Sequence, residues 1–299
     1  MSALSIGSQA DMGPGPARQD VEAVKRLVAA ATIETSTRDG SEARMQARSV
    51  APGSDVYVPW LPASRWRDIV AVAAELRRCG VNPVPHIAAR RLLSEEDAQQ
   101  YLSALREQAG VARALLIGGE TNARRMGFAH SLELLESGLL EANGIRSVGF
   151  AGHPEGHPAV ASEVMDAALQ RKIDYANRHG LEPFIVTQFA FDHRCVLSWL
   201  EHVRAIGIRV PVRLGVTGPA SVRTLLRYAL RCGIGTSLKA AATRGPALMQ
   251  LIEKGGAEEV VRAVAPRAAE LGVVGLHLFP FGGFERSAGW IRKVAAEGL

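Results

Sequence analysis

Short, nearly continuous apolar runs alternate with amphipathic stretches along almost the whole chain. Eight runs read as strands buried on both faces: Ala31–Ser36, Asp55–Trp60, Asn82–Ile87, Ala112–Ile117, Ser147–Ala151, Pro183–Ala190, Val210–Gly215 and Val273–Phe279. Helical spacing fills the intervals. A first helix, Val21–Ala30, follows an Asp20 cap, and Ser64–Cys79 is stopped by Gly80. Ser94 and the acidic pair Glu95–Glu96 open a helix that runs to Gln108. The others are Phe128–Leu140, a helix ending near His179–Gly180, Arg194–Ala205, Ser221–Cys232 and Arg286–Ala296. Thr37–Pro52 reads as a polar loop, and residues 235–270 as an extra helical excursion between the seventh strand's helix and strand eight.

Eight strands alternating with helices predict an α/β protein, a single (β/α)8 TIM-type barrel over residues 17–299. Residues 1–16 carry Gly13–Pro14–Gly15–Pro16 and no apolar periodicity, which predicts a disordered N-terminal tail. A doubly wound open sheet is the rival architecture, but no GxGxxG follows any strand.

Composition narrows the function classes. With 299 residues at 47% hydrophobic, a large core is available. The net charge of +5 comes from thirty arginines and five lysines against thirty acids. An arginine-rich solvated surface accounts for this simply, and a small anionic ligand such as a nucleotide or polycarboxylate accounts for it functionally. Nucleic acid is not expected: aromatics are 5% and interleave with no basic run. No uncharged apolar run approaches a membrane span, and the N-terminus lacks a leader pattern. Cys79, Cys195 and Cys232 form no CxxC, so reduced thiols of a cytoplasmic protein are expected. Self-association into a homo-oligomer is compatible with the sequence.

On a barrel, polar residues at the C-terminal strand ends meet at one mouth. The candidates are Glu34 on strand one, His86 on strand three, Glu120 after strand four, His153 and Glu155 after strand five, and Gln188 and Asp192 at strand six. Glu34 is the sharpest: burial of a carboxylate in an apolar strand predicts a raised pKa, suited to general acid work. Gly118 and Gly119 allow close backbone approach of a ligand, or simply make a turn. The four-residue spacing of His153 and His157 hints at metal, but Pro154 and Pro158 argue against a helical presentation, and no metal site is predicted. Lys172, beside Arg171, reads more simply as a solvated helix face than as a phosphate clamp.

Several of these segments resemble one family. Glu34 in TIETS looks like the strand-one catalytic glutamate of methylenetetrahydrofolate reductases, and PHIA at Pro85–Ala88 is similar to the family's PHLT. HPEGHP at His153–Pro158 resembles YPEVHP, RKID at Arg171–Asp174 resembles RKVDAG, and VTQFAFD at Val186–Asp192 resembles ITQFFFD. GLHLF at Gly275–Phe279 is similar to the strand-eight motif GFHFY. The resemblance implies an FAD-dependent oxidoreductase interconverting 5,10-methylenetetrahydrofolate and 5-methyltetrahydrofolate, with NAD(P)H as electron donor. It implies Glu34, Glu120 and Gln188 as catalytic residues, and Gln188 and Phe279 as folate-binding residues. It implies a flavin site made of His86, Gly118, Gly119, Glu120, Phe128, Ala129, His153, His157 and Lys172. The family's Arg-Gly-Asp after strand four is Gly118–Gly119–Glu120 here, and its helical Asp and Asn are Met165 and Ala168. Two alternatives use the same barrel without hydride chemistry: a folate-dependent methyltransferase, and a non-catalytic folate-binding subunit.

Overall fold

The computed structural model describes residues 16–35, 39–61, 63–119, 127–157, 160–231 and 256–299. Eight parallel strands close into a barrel in sequence order, each paired with the next and the last with the first. They are β1 (Thr32–Glu34), β2 (Asp55–Val58), β3 (Asn82–Ala88), β4 (Arg113–Ile117), β5 (Ser147–Gly152), β6 (Glu182–Thr187), β7 (Val212–Thr217) and β8 (Val273–Phe279). The helices are α1 (Pro16–Ala29), α2 (Gly40–Ala47), α3 (Trp66–Arg78), α4 (Glu95–Ala109), α5 (Ser131–Glu136), α6 (Leu139–Ala142), α7 (Ser162–Arg178), α8 (His193–Ala205), α9 (Val222–Arg231), α10 (Gly256–Val264) and α11 (Phe284–Glu297). Among the described residues no helix is long and apolar enough to cross a membrane.

The (β/α)8 expectation is met, and strand chemistry explains why. Alternate strand residues face out to the helices: Val56, Val58, Ile87, Leu116, Val148, Phe150, Ile185, Leu214, Leu276 and Leu278 are all at or near full burial within the main core. Each such side chain contributes on the order of 1.5–3 kcal/mol by leaving water. The inward positions form a separate cluster of Tyr57, Val84, Leu115, Phe184 and Val186. Gly149 belongs to this layer because a Cβ there would stand 2.6 Å from the Phe184 ring. Toward the N-terminal end, Asp55 pairs with Arg113, whose guanidinium lies 5.9 Å from the centre of the Phe184 ring. The strands' C-terminal ends are left for chemistry.

Four local expectations are corrected. The segment read as a polar loop, Thr37–Pro52, contains α2, capped by the Asp39 carboxylate accepting from Ser41 N. Eight residues with three buried positions, Ala43, Gln46 and Ala47, are too short to show helical periodicity. Helix α1 starts at Pro16, ahead of the expected Asp20 cap, because proline is well suited to a first helical turn. The expected helix over Phe128–Leu140 is two short ones, broken at Gly138 with φ of 74°. Strand β6 stops at Thr187, so Gln188 begins the mouth loop rather than lying within a strand. The excursion before β8 is helical over α10 and a short 3-10 turn, and its part within 232–255 lies outside the described residues.

Candidate active site

The register places Thr32 beside His277 and Glu34 beside Tyr57, so β1, β2 and β8 present these four side chains together. Glu34 ends β1, is 9% exposed, and receives two imidazoles on one oxygen. His277 Nε2 lies 3.3 Å from Glu34 Oε1, and His86 Nε2 lies 3.2 Å from the same atom. On its other side His277 Nδ1 is 3.0 Å from Thr32 Oγ1, whose hydroxyl donates to the Leu276 carbonyl at 3.3 Å. A hydroxyl has one hydrogen, so Thr32 accepts from His277, and Nδ1 carries a proton. Nε2 then faces Glu34 with either a lone pair or a second proton. Glu34 and His277 are therefore placed to share or pass a proton across the 3.3 Å contact.

The raised pKa expected for Glu34 is not what the site produces. Burial does push the carboxyl up, but the close contacts with His277 and His86, and their charges, outweigh it and hold Glu34 at about 2. Burial pushes His277 down, with Glu34 pulling it back up. The carboxylate is thus the anionic partner, and a proton entering the couple goes to imidazole nitrogen, whose hold on it burial weakens. His277 and Thr32 escaped the sequence reading, although period-two alternation from Glu34 and from Phe279 puts both on the inward face.

Gln188 follows β6 and fixes its own amide orientation. Its Oε1 accepts from Phe189 N–H at 3.1 Å, so the NH2 group is left as the donor. Phe279, at the end of β8, meets His277 edge-on at 5.0 Å. It joins an aromatic wall with Phe189, Phe281 and Tyr228, in which Tyr228 stacks on Phe281 at 4.0 Å and 11°. Only Phe279 of this wall was anticipated. The others lie in segments whose apolar character is indistinguishable from core in sequence.

A cleft of about 670 Å³ opens from the ends of β4 and β5 and runs out between α7 and α8. Gly118, His153 and Lys172, three of the residues expected at a flavin, line it together. Burial lowers the Lys172 pKa to about 8; its ammonium lies 5.4 Å over the Phe150 ring and makes no ion pair among the described residues. Burial, then the charges of His157 and Lys172, lower His153 to about 4, and among the described residues its buried Nδ1 has no partner. The expectation of a solvated lysine is corrected accordingly. Met165, Ala168, Leu169 and Trp199 make the remaining wall mostly apolar.

The other residues expected at a flavin do not line this cleft or lie outside the described residues. His86 contacts Glu34 rather than the cleft. Phe128 packs on the main core, and the Ala129 carbonyl accepts from Arg90 Nε at 2.9 Å. Gly119 has φ of 76° against Ala88 and makes the turn after β4, and Arg90 also donates to its carbonyl. His157 bridges to Val160 and stands 5.8 Å, ring to ring, from His153. Asp192 is the N-cap of α8, and Glu155 accepts from Phe191 N–H, tying two mouth loops together. Glu120 lies outside the described residues. Among the described residues no group of three or more His, Cys, Asp or Glu is placed to hold a metal ion.

Comparison with known proteins follows the same lines. Methylenetetrahydrofolate reductase 2 of Saccharomyces cerevisiae is 28% identical over 106 residues, which cover 34% of this chain and 17% of the yeast protein. The match thus spans less than a fifth of that relative's length. A Clostridium thermocellum protein, described as uncharacterized and binding two copies of 5-methyl-5,6,7,8-tetrahydrofolic acid, shares the fold with a TM-score of 0.61. It is 13% identical, with 94% of this chain and 99% of that chain covered. The family profile described as methylenetetrahydrofolate reductase matches residues 43–282, which take in all of the described site except Glu34 and Thr32. With four-fifths of its length inside that profile, the chain belongs to the methylenetetrahydrofolate reductase family.

Proposed function

We propose that this protein is a flavin-dependent oxidoreductase that interconverts 5,10-methylenetetrahydrofolate and 5-methyltetrahydrofolate, with NAD(P)H as the electron donor. The observation that carries the reading is the Glu34–His277–Thr32 chain at the barrel mouth. Opening the methylene bridge requires a proton on a folate ring nitrogen, and this chain supports the reading because it offers a route for delivering one at the barrel mouth. The proton passes from Glu34 to that nitrogen, and His277 Nε2 returns a proton to the carboxylate. Thr32 keeps the imidazole in the tautomer that allows the return. The Gln188 NH2 group donates to an acceptor on the pterin edge and fixes the ring's orientation. Phe279 and its aromatic neighbours supply flat faces for the pterin and the adjoining aryl ring and keep water away.

The cleft residues fit FAD. Among the described residues Lys172 offers a cation with no acid partner, His153 an unpartnered buried nitrogen, and Gly118 a floor without a side chain. An elongated cofactor with a diphosphate and two flat ring systems satisfies all three, and the cleft volume lies in the range of small-molecule sites. When bound, FAD supplies the hydride exchanged with the one-carbon unit. Lys172 and His153 would hold its phosphate oxygens, and Trp199, Leu169 and Met165 its apolar surfaces.

The test is direct. The purified protein should carry, or take up, FAD with flavin absorbance, and should oxidise NADH or NADPH when methylenetetrahydrofolate is added. Folate binding without any flavin uptake would instead favour the methyltransferase or the binding-subunit reading.

A further inference from the structure

His86, which the family resemblance puts in the flavin site, stands directly against the acid. Its side chain is 10% exposed, its Nε2 is 3.2 Å from Glu34 Oε1, and it does not line the cleft. That nitrogen is sealed from solvent, and its closeness to the carboxylate helps hold Glu34 as the anion. The ring is held from two sides. Tyr57 meets it edge-on at 6.2 Å and meets His277 at 4.4 Å, while the buried Tyr101 hydroxyl donates to the His86 carbonyl. Two imidazoles, from β3 and β8, thus converge on one oxygen of Glu34.

We propose that His86 is a positioning residue of the acid: it competes with His277 for the single Glu34 carboxylate and so sets the pH at which the couple gives up its proton. The inference rests on the function proposed above. The transfer is a simple relay. The N–H bond at His277 Nε2 breaks as the O–H bond at Glu34 forms, and that O–H bond then breaks as the substrate N–H bond forms. One proton leaves the couple and solvent replaces it.

The sign follows from the groups around the pair. A neutral His86 stabilises the Glu34 anion, which favours release of the proton. A charged His86 repels the imidazolium of His277, which also favours release. Arg213 on β7 acts on His277 in the same direction, whereas Tyr57 on β2, its hydroxyl pushed up by burial, stays neutral. Gln188 after β6 carries no charge. Asp55 and Arg113, toward the other end of the barrel, offset one another. Removing His86 therefore raises the couple's proton affinity.

The experiment compares wild type with His86→Asn and His86→Phe. Histidine side-chain 15N NMR of the flavin-free protein reads the titration of His277, with His277→Asn used to assign its signals. Stopped-flow then reads the pH profile of the folate half-reaction. Loss of His86 should move the His277 titration, and the alkaline limb of the half-reaction, upward by about one pH unit, with FAD affinity within threefold of wild type. In wild type alone His277 should titrate over a wider pH range than a single isolated group, a readout that survives if a variant misfolds. A simple one-group curve for His277 in wild type, or an unmoved limb together with a tenfold loss of FAD affinity, would overturn the proposal and return His86 to the flavin. An intact folate half-reaction in Glu34→Gln would instead sink the proposed function, and the NMR shift would still decide the coupling of the two histidines.

Discussion

Lys172 gives the cleft a pH dependence that an ordinary lysine would not. Burial brings its pKa from 10.5 to about 8, and among the described residues no carboxylate offsets that cost. At pH 7 about nine-tenths of the side chains are charged, and at pH 9 about one-tenth. An anion that binds only the ammonium form should therefore lose affinity about tenfold per pH unit above 8, because the break in binding reports the free protein's pKa. A charge-assisted hydrogen bond contributes about 1.5–3 kcal/mol, so Lys172→Met should weaken FAD roughly 10- to 100-fold at pH 7. Lys172→Arg, which stays charged, should flatten the profile between pH 7 and 9.5. His153, at about 4, remains neutral throughout and adds no slope. Equilibrium titration with FAD, and with ADP as a second anionic probe, measures all three proteins. A wild-type affinity that holds constant to pH 9.5, or a Lys172→Arg profile that still falls, would refute the reasoning.

The Gln188→Ala variant should weaken 5-methyltetrahydrofolate about three- to tenfold, as loss of one neutral hydrogen bond predicts, and unchanged folate affinity would move the pterin elsewhere. Gly119→Ala should destabilise the fold, since φ is 76° and the new Cβ would lie 2.9 Å from that of Ala88. About 1–3 kcal/mol and a Tm lower by roughly 2–10 °C are expected, read by thermal unfolding. A Tm equal to wild type would mean the turn is not as tight as described.

The barrel was legible because its signal is long-range repetition: eight apolar runs, each separated by helical spacing, leave little choice of architecture. Helix α2 was hidden because its eight residues turn only Ala43, Gln46 and Ala47 inward. Glu34 was identified from its anomaly in an apolar strand, but its chemistry was inverted. The sequence shows that a carboxylate is buried, not that imidazoles from strands fifty and more than two hundred residues away meet the same oxygen. Lys172 was discounted for a related reason. Arg171 beside it is an exposed helix position, while Phe150 and part of the cleft lining that bury it come from β5. Phe279 ends β8, where alternation alone fixes the facing direction, while Gln188 begins the loop after β6.

The central claim is that Glu34 and His277 hold the proton used on the folate and nothing needed for flavin reduction. Glu34→Gln keeps the shape and removes the charge that holds a proton on His277. Rapid-reaction kinetics of the FAD-loaded variant can follow the two halves of turnover separately through flavin absorbance. The account predicts that NAD(P)H still reduces the flavin at close to the wild-type rate. Reoxidation by methylenetetrahydrofolate should slow by about 10²- to 10⁴-fold, the range of a general acid's contribution. Equal loss in both halves, or a wild-type rate in the folate half, would contradict it.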